Sequence, residues 1–273
     1  MNNIFFTLFL FLLQQFYSQS YQATYDFDYK RDSTSNNYFT VSMILDIEKD
    51  HSKFYFQKLL KIDSLIRKGK RMSFFSPIQQ IVKRKTNTFD YENFVNVADL
   101  YYSFASTDKI NWKISDSIKN FNNYKLQKAE ANWAGRQWIA WFCLDIPTSE
   151  GPYKFKGLPG LVMILKDTKN NFKYTLTSFK ASNLKYNTQN IVETNLGNVP
   201  IKINLTQYQK LLLNEYENPF SEYENMKGTD WQLTIYDRKI NTIEGLKEIK
   251  KQYQNDIKKN YNPIELDKAV KYP

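Results

Sequence analysis

Residues 151–165 read "GPYKFKGLPGLVMIL": a basic and aromatic segment, two glycines on either side of Leu-Pro, and then five consecutive apolar residues. A phosphate-binding loop opens a helix and carries Lys-Ser or Lys-Thr, and this segment has neither. Pro159 also lacks the backbone N–H that an anion cradle would use. Five apolar residues bounded by turn residues are typical of a buried strand, so the stretch predicts a shaped turn that leads into the core.

Alternating apolar and polar residues predict antiparallel strands on both sides of this stretch. Residues 172–176 alternate after the polar turn "KDTKNN", so residues 161–179 are expected to form a hairpin. Residues 136–143 carry apolar side chains on both faces, which predicts a strand that is covered on both sides. Residues 21–29 and 39–47 alternate strictly and predict a second antiparallel pair.

Apolar residues at spacings of three and four predict a helix at 57–67 and, from about residue 205 onwards, two more, the second over 243–257. Residues 86–104 fit either a strand pair or a loop packed on the sheet. The chain is therefore expected to be mainly β with accessory helices (α+β). Its architecture would be a curved or partly closed antiparallel sheet with helices packed towards the C-terminus, in a single domain over 21–273.

The N-terminus predicts export. Residues 4–13, "IFFTLFLFLL", form an apolar run that is too short for the roughly 20 residues needed to span a bilayer. Ser18 and Ser20 then supply the small residues that a signal peptidase prefers at −3 and −1. Segment 1–20 is therefore interpreted as a signal peptide, with Tyr21 as the first mature residue and a periplasmic or secreted location. A retained anchor is the alternative.

The composition argues against several kinds of site. A single cysteine, Cys143, cannot form an internal disulfide, and its place in an apolar strand predicts an inert core thiol. A single histidine, His51, leaves no His pair for zinc and, without a G-x-S-x-G motif, argues against Ser-His-Asp chemistry. No metal and no cofactor are predicted. The net charge of +10 comes from lysine spread along the chain, so no nucleic-acid partner is expected.

Three acidic residues are the candidate catalytic groups: Glu130, Asp145 and Glu150. Two carboxylates that converge on a cleft could perform acid/base chemistry on a glycan. Acidic residues at turns and strand ends also serve solubility, and spacing alone does not show convergence. An enzyme is therefore the less favoured interpretation.

Five aromatic residues are the candidate ligand-binding groups: Trp133, Trp138, Trp141, Tyr153 and Phe155. Aromatic side chains on one face of a curved sheet could line a site for an apolar or peptide-like ligand. The alternative at each position is that the side chain belongs to the core.

Residues 127–162 resemble the signature of the GLPGLI family of exported proteins from the Bacteroidetes. The segment "QKAEANWAGRQWIAWFCLDIPTSEGPYKFKGLPGLV" carries its successive elements, with Val162 in place of the final Ile. A short "NPIEL" at 262–266 is similar to the usual C-terminal element of that family. The motif residues are Gly135, Arg136, Gly151, Pro152, Gly157, Leu158, Pro159, Gly160 and Leu161.

This resemblance implies an exported protein of unknown activity, often considered alongside outer-membrane transport systems, and it supplies no catalytic residues. We therefore expect a non-catalytic binding or accessory module with an aromatic-lined sheet surface. Expected partners are an outer-membrane transport component, an envelope lipid, a glycan or a peptide. A glycan- or peptide-hydrolysing enzyme with paired carboxylates, and a structural subunit of an envelope transport complex, are the alternatives.

Overall fold

The computed structural model describes residues 20–72, 78–182, 186–224 and 231–273, so the predicted signal peptide lies outside them except for Ser20. The described chain forms one 12-stranded sheet and a separate two-stranded hairpin. The order in the large sheet is β12-β6-β5-β4-β3-β2-β1-β11-β10-β9-β8-β7, with β7 and β12 at its two open edges. The strands are β1 (Tyr21–Tyr29), β2 (Phe39–Ile47), β3 (His51–Phe56), β4 (Ile81–Lys85), β5 (Asp90–Val97), β6 (Leu100–Thr107), β7 (Lys113–Phe121), β8 (Tyr124–Trp133), β9 (Arg136–Cys143), β10 (Leu161–Asp167), β11 (Phe172–Ala181), β12 (Ile201–Lys202), β13 (Leu233–Ile235) and β14 (Arg238–Ile240).

The predicted fold class is confirmed. Neighbouring strands of the large sheet run antiparallel except β12, which pairs with β6 in parallel. The hairpin predicted over 161–179 is β10–β11, and the pair predicted at 21–29 and 39–47 is β1–β2. The ambiguous stretch 86–104 contains the strand pair β5–β6.

Strand β8 was not predicted from the sequence. Its buried positions are held largely by small residues, Ala129 and Ala131, which give a weak apolar periodicity. These alanines lie opposite Ala140 and the bulky Trp138 of β9, so the small side chains leave room for the indole. The prediction that β9 is covered on both sides was wrong in part, because Trp141 is only half-buried.

Three of the four helices lie where the apolar spacing predicts them, and the short α3 was not predicted. They are α1 (Gln57–Arg67), α2 (Leu205–Glu217), α3 (Ser221–Glu224) and α4 (Ile243–Lys259), with a π-helical turn at Gln189–Glu193 and a 3-10 turn at Leu266–Lys268. Asn204 caps α2 through its side chain, which accepts a hydrogen bond from the Gln207 backbone amide, and the Gln207 side-chain oxygen accepts one from the Asn204 backbone amide. None of the helices in the described residues has the length and apolar character needed to cross a membrane.

The loop 151–160 lies inside the curve of the sheet. The Tyr91 hydroxyl of β5 donates to the carbonyl of Lys154 at 3.2 Å, and the ring centroids of Phe155 and Trp138 of β9 are 4.4 Å apart. Strands β5 and β9 are seven intervals apart in the sheet order, which would be about 33 Å in a flat sheet. The sheet must therefore bend around this loop. We call the face that contacts the loop the inner face and the opposite one the outer face.

Gly160 allows the loop to return to the sheet. A Cβ atom built on Gly160 would lie 2.0 Å from the carbonyl oxygen of Cys143, which is a backbone atom that cannot rotate away. The Gly160 conformation itself does not require glycine, since its φ is outside the left-handed region. The constraint is the close approach of two backbones at the start of β10.

We predict that Gly160→Ala lowers the free energy of unfolding by about 3 kcal/mol or more, because the added methyl group pushes β10 away from the end of β9. Urea denaturation of the two proteins measures the difference. Pro159→Ala is the matched control, since Pro159 is the exposed neighbour in the same turn. A Gly160→Ala protein as stable as the Pro159→Ala protein would show that the close approach is not a constraint on the fold.

Candidate functional site

Charged residues from distant parts of the chain meet in a buried ionic cluster, which consists of Asp108, Lys154, Glu265 and Lys268. The ammonium group of Lys154 lies 2.8 Å from a carboxylate oxygen of Asp108 and 2.8 Å from one of Glu265. The ammonium group of Lys268 contacts the other oxygen of each of these two carboxylates. Lys154 is only 1% exposed, so the two carboxylates neutralise a charge that would otherwise be costly to bury.

The electrostatics of this cluster are set by competition between burial and charge. Burial alone would raise the pKa of the Asp108 carboxyl, but the ammonium groups of Lys154 and Lys268 outweigh it and hold the pKa below its usual value. Burial would likewise lower the pKa of Lys268, and the carboxylates of Glu265 and Asp108 raise it instead. Two positive and two negative charges therefore stabilise one another.

A second buried ion pair anchors the start of the loop. Arg84 of β4 donates from one guanidinium nitrogen to both oxygens of Glu150, and the ammonium of Lys156 lies 3.7 Å from the same carboxylate. The indole of Trp112 donates to the carbonyl of Lys156 at 2.9 Å. Burial lowers the pKa of Lys156, and the charge on Glu150 only partly opposes this. Both lysines of "YKFK" are therefore held inside the protein.

The C-terminal "NPIEL" segment binds to the turn between β8 and β9. Arg136 donates to the side chain of Asn262 and to the carbonyl of Pro263, each at 2.7 Å. The amide of Leu266 donates to the carbonyl of Ala134 at 2.9 Å. The two sequence elements that carry the family resemblance thus contact each other directly, and Glu265 of the second pairs with Lys154 of the first.

The three candidate catalytic carboxylates lie in different surroundings. Glu130 is on the outer face, where it pairs with Lys128 at 2.5 Å. Asp145 is exposed in the turn after β9. Glu150 is buried beside Arg84 on the inner side, so the sheet separates it from Glu130. The pair of carboxylates that does converge, Asp108 and Glu265, is enclosed.

The five candidate aromatic residues divide by accessibility. Trp138, Tyr153 and Phe155 are buried in the inner core, where Tyr153 also donates a hydrogen bond to Glu265. A ligand role for these three would require the core to open. Trp133 and Trp141 are half-buried. Trp133 packs edge-on against Phe155 at 4.9 Å, which leaves Trp141 as the candidate on the outer face.

Trp141 is the centre of an outer-face patch, which consists of Trp141, Lys119, Ile164, Lys166 and Lys173. The Lys119 ammonium lies 4.3 Å from the centroid of the Trp141 ring. Ile164 is directly opposite Trp141 across β9–β10. Lys166 and Lys173 face each other across β10–β11. The patch joins one half-exposed aromatic ring to three lysines.

Sequence reasoning missed Asp108, Glu265, Arg84 and Lys119. Glu265 could have been found, because it lies within "NPIEL" and a buried lysine in the central motif needs an acidic partner. Asp108 and Arg84 lie in segments with no distinctive spacing, and only the curvature of the sheet brings them to the loop. Lys119 depends on the register of β7 against β8, which no sequence pattern fixes.

Comparison with known proteins gives a family-model match to part of the chain and a related fold. Residues 109–164 match a family model described as "Protein of unknown function (Porph_ging)", which covers 56 of the 273 residues. No curated protein matches the chain. The family named by resemblance, GLPGLI, stays a prediction.

Two solved structures of PNGF-II are similar to this chain. The one in the C2 space group has a TM-score of 0.51 and 14% sequence identity, over 71% of this chain and 32% of that one. The one in the P21 space group has a TM-score of 0.49 and 15% identity, over 71% and 33%. The chain thus spans about a third of the length of these structures. At 14% identity, the first shows a related fold and nothing about activity.

We predict that Lys154→Met lowers the free energy of unfolding by about 3–5 kcal/mol, because it leaves two buried carboxylates with only the Lys268 ammonium to neutralise them. In a double-mutant cycle with Glu265→Gln, the combined loss should be at least about 1 kcal/mol smaller than the sum. Urea denaturation measures all four proteins. Lys128→Met, which removes a surface pair with Glu130, is the control and should cost less than about 1 kcal/mol. Additive losses would contradict the coupling of Lys154 to Glu265.

We also predict that stability falls as the pH drops below about 4, the ordinary pKa of an aspartate. The pKa of Asp108 is lower in the folded protein than in the unfolded chain, so its contribution is complete above pH 4 and is lost as the pH falls through the folded value. Asp108→Asn should therefore flatten the fall in unfolding free energy below pH 4. The exposed Asp145→Asn is the control. If the unfolding free energies of the wild type and Asp108→Asn changed in parallel with pH, Asp108 would not be the source of the loss of stability.

Proposed function

We propose that this chain is an exported, non-catalytic binding or accessory module whose ligand surface is the outer-face patch around Trp141. The inner face is filled by the protein's own loop, so the outer face is the part of the sheet that a ligand can reach without unfolding the core. The observation that supports this most directly is the position of Trp141: its side chain is half-buried, and a lysine ammonium lies 4.3 Å from its ring centroid.

Energetic considerations support a binding role for this residue. An aromatic side chain that keeps part of its ring in water contributes less to the core than a buried one, and it is available to a partner. Tryptophan is also the residue type most enriched among those that dominate binding energy. The other four candidate aromatics pack against core rings or lie within the core.

A structural subunit of a transport complex is the second candidate, and the edge strand β7 favours it. Ile114 and Ile118 of β7 are 45% and 47% exposed, and no strand of the described chain pairs with the free side of β7. An unpaired edge strand with exposed apolar side chains is a place where another protein chain can add.

The test is capture by the purified chain of material from an envelope extract, with lipid, glycan and protein fractions analysed. We predict that Trp141→Ala lowers ligand recovery at least about tenfold, which corresponds to the loss of one dominant contact. Trp141→Phe should keep part of the binding, and both variants should retain the wild-type far-UV circular dichroism.

Tyr236→Ala removes an exposed aromatic residue from the turn of the separate β13–β14 hairpin and is the matched control. Unchanged recovery with Trp141→Ala would contradict the proposal. Recovery of a protein that persists in Trp141→Ala and is lost in Ile114→Asp with Ile118→Asp would favour the second candidate instead.

A further inference from the structure

The lysines of the outer-face patch form no ion pair with a carboxylate of the described residues, although Asp28 of β1 is directly opposite Lys173. Lys166 and Lys173 are directly opposite each other on neighbouring strands, an arrangement that destabilises a sheet. Within the described residues, no carboxylate lies within ion-pair distance of Lys119, Lys166 or Lys173. The acidic groups that flank these lysines on the outer face have other partners: Asp28 accepts a hydrogen bond from Thr40, and Glu130 of β8 pairs with Lys128. A negative partner from outside the chain would satisfy these charges.

The positive charges and the aromatic ring form a row across the strands. Lys119 lies on β7, Trp141 on β9, Lys166 on β10 and Lys173 on β11. Lys119 pairs with Leu126, which in turn pairs with Cys143 of β9, and Lys166 pairs with Ile139 of β9. Measured along β9, the row therefore extends over only five residues, from Ile139 to Cys143. At the usual strand spacing, the row from β7 to β11 is about 19 Å long. This is a track for an extended ligand.

Electrostatics link the lysines of this row. Partial burial lowers the pKa of Lys119, and the charges of Lys166 and Lys173 lower it further. The three ammonium groups are therefore close enough to repel one another. The cation–π contact of Lys119 with Trp141 is worth only about 0.5–1 kcal/mol at an exposed site. Lys119 can leave the ring at small cost, pair with an anionic group and free the indole face.

We propose that the outer-face patch binds an acidic polysaccharide, with Trp141 stacking on a sugar ring and Lys119, Lys166 and Lys173 pairing with its carboxylate or sulfate groups. This inference rests on the proposed function and names the ligand class for the same surface. A linear polymer fits the row, because it can present an acidic group at intervals along the track.

The same observations disfavour the other polyanions. Membrane binding requires apolar side chains that enter the headgroup region, whereas Trp141 and Ile164 lie half-buried in the strands of the sheet. Single-stranded nucleic acid is usually held by several stacking aromatics and by arginine, and this patch has one aromatic ring and no arginine. Anionic vesicles and single-stranded DNA are therefore included as probes, and tighter binding of either would contradict the proposal.

The experiment measures binding of the purified full chain to four probes by isothermal titration: polygalacturonate, dextran sulfate, neutral dextran, and vesicles of phosphatidylglycerol. Single-stranded DNA is a fifth. We expect at least one acidic polysaccharide to bind in a salt-sensitive manner. The triple variant Lys119→Gln, Lys166→Gln, Lys173→Gln should weaken that binding at least about tenfold.

A matched triple variant, Lys58→Gln, Lys210→Gln, Lys247→Gln, removes the same charge from exposed helix positions and should bind like the wild type. Equal loss in the two triple variants would overturn the inference, because it would reflect net charge alone. Tighter binding of neutral dextran, vesicles or DNA would also overturn it. If neutral dextran binds and Trp141→Ala abolishes this, the proposed function stands and the acidic ligand fails. If no probe binds, the acidic ligand is rejected and the capture experiment with Trp141→Ala decides the function separately.

Discussion

The fold depends on the burial of Lys154. A lysine that is 1% exposed must have its charge matched by nearby acids, and the two that match it come from Asp108, after β6, and from Glu265, near the C-terminus. This one ammonium group therefore connects the loop, the first half of the sheet and the last segment of the chain. The curvature of the sheet follows from this connection, because strands on both sides must reach the same loop.

The motif residues of segment 127–162 acquire a physical meaning from these contacts. Gly160 permits two backbones to touch, Arg136 holds the C-terminal segment, and Lys154 pairs with Glu265 of that segment. These are the requirements of a loop enclosed by a sheet. The matched region, residues 109–164, contains Arg136, Lys154 and Gly160, whereas Glu265 lies outside it. Lys119 and Trp141 of the outer-face patch also lie within this region, whereas Lys166 and Lys173 lie beyond it.

Sequence patterns predicted the strands and helices that have clear apolar periodicity. Strand β8 was not predicted, because the alanines at its inner positions, which leave room for Trp138, give only a weak apolar periodicity. The candidate carboxylates were chosen by their proximity in sequence, whereas the pair that meets, Asp108 and Glu265, is joined only by the curvature of the sheet. The solvent accessibility of the two tryptophans could not be predicted from the sequence either, because Trp138 and Trp141 lie in one strand and differ only in the face they occupy. Alternation reveals two faces, but it does not show which one the loop will cover.

Native-state hydrogen exchange tests the central claim most directly, because it measures how the loop and the C-terminal segment open relative to the sheet. The amides of Gly157 and Leu266 donate to Ser149 and Ala134, and both bonds depend on the enclosed loop and its C-terminal partner. The account predicts that these two amides exchange only through global unfolding, with the same opening free energy as the amides at the centre of β9. Exchange of Gly157 and Leu266 at a much lower free energy, while β9 stays protected, would show that the sheet keeps its shape without the loop and would contradict the account.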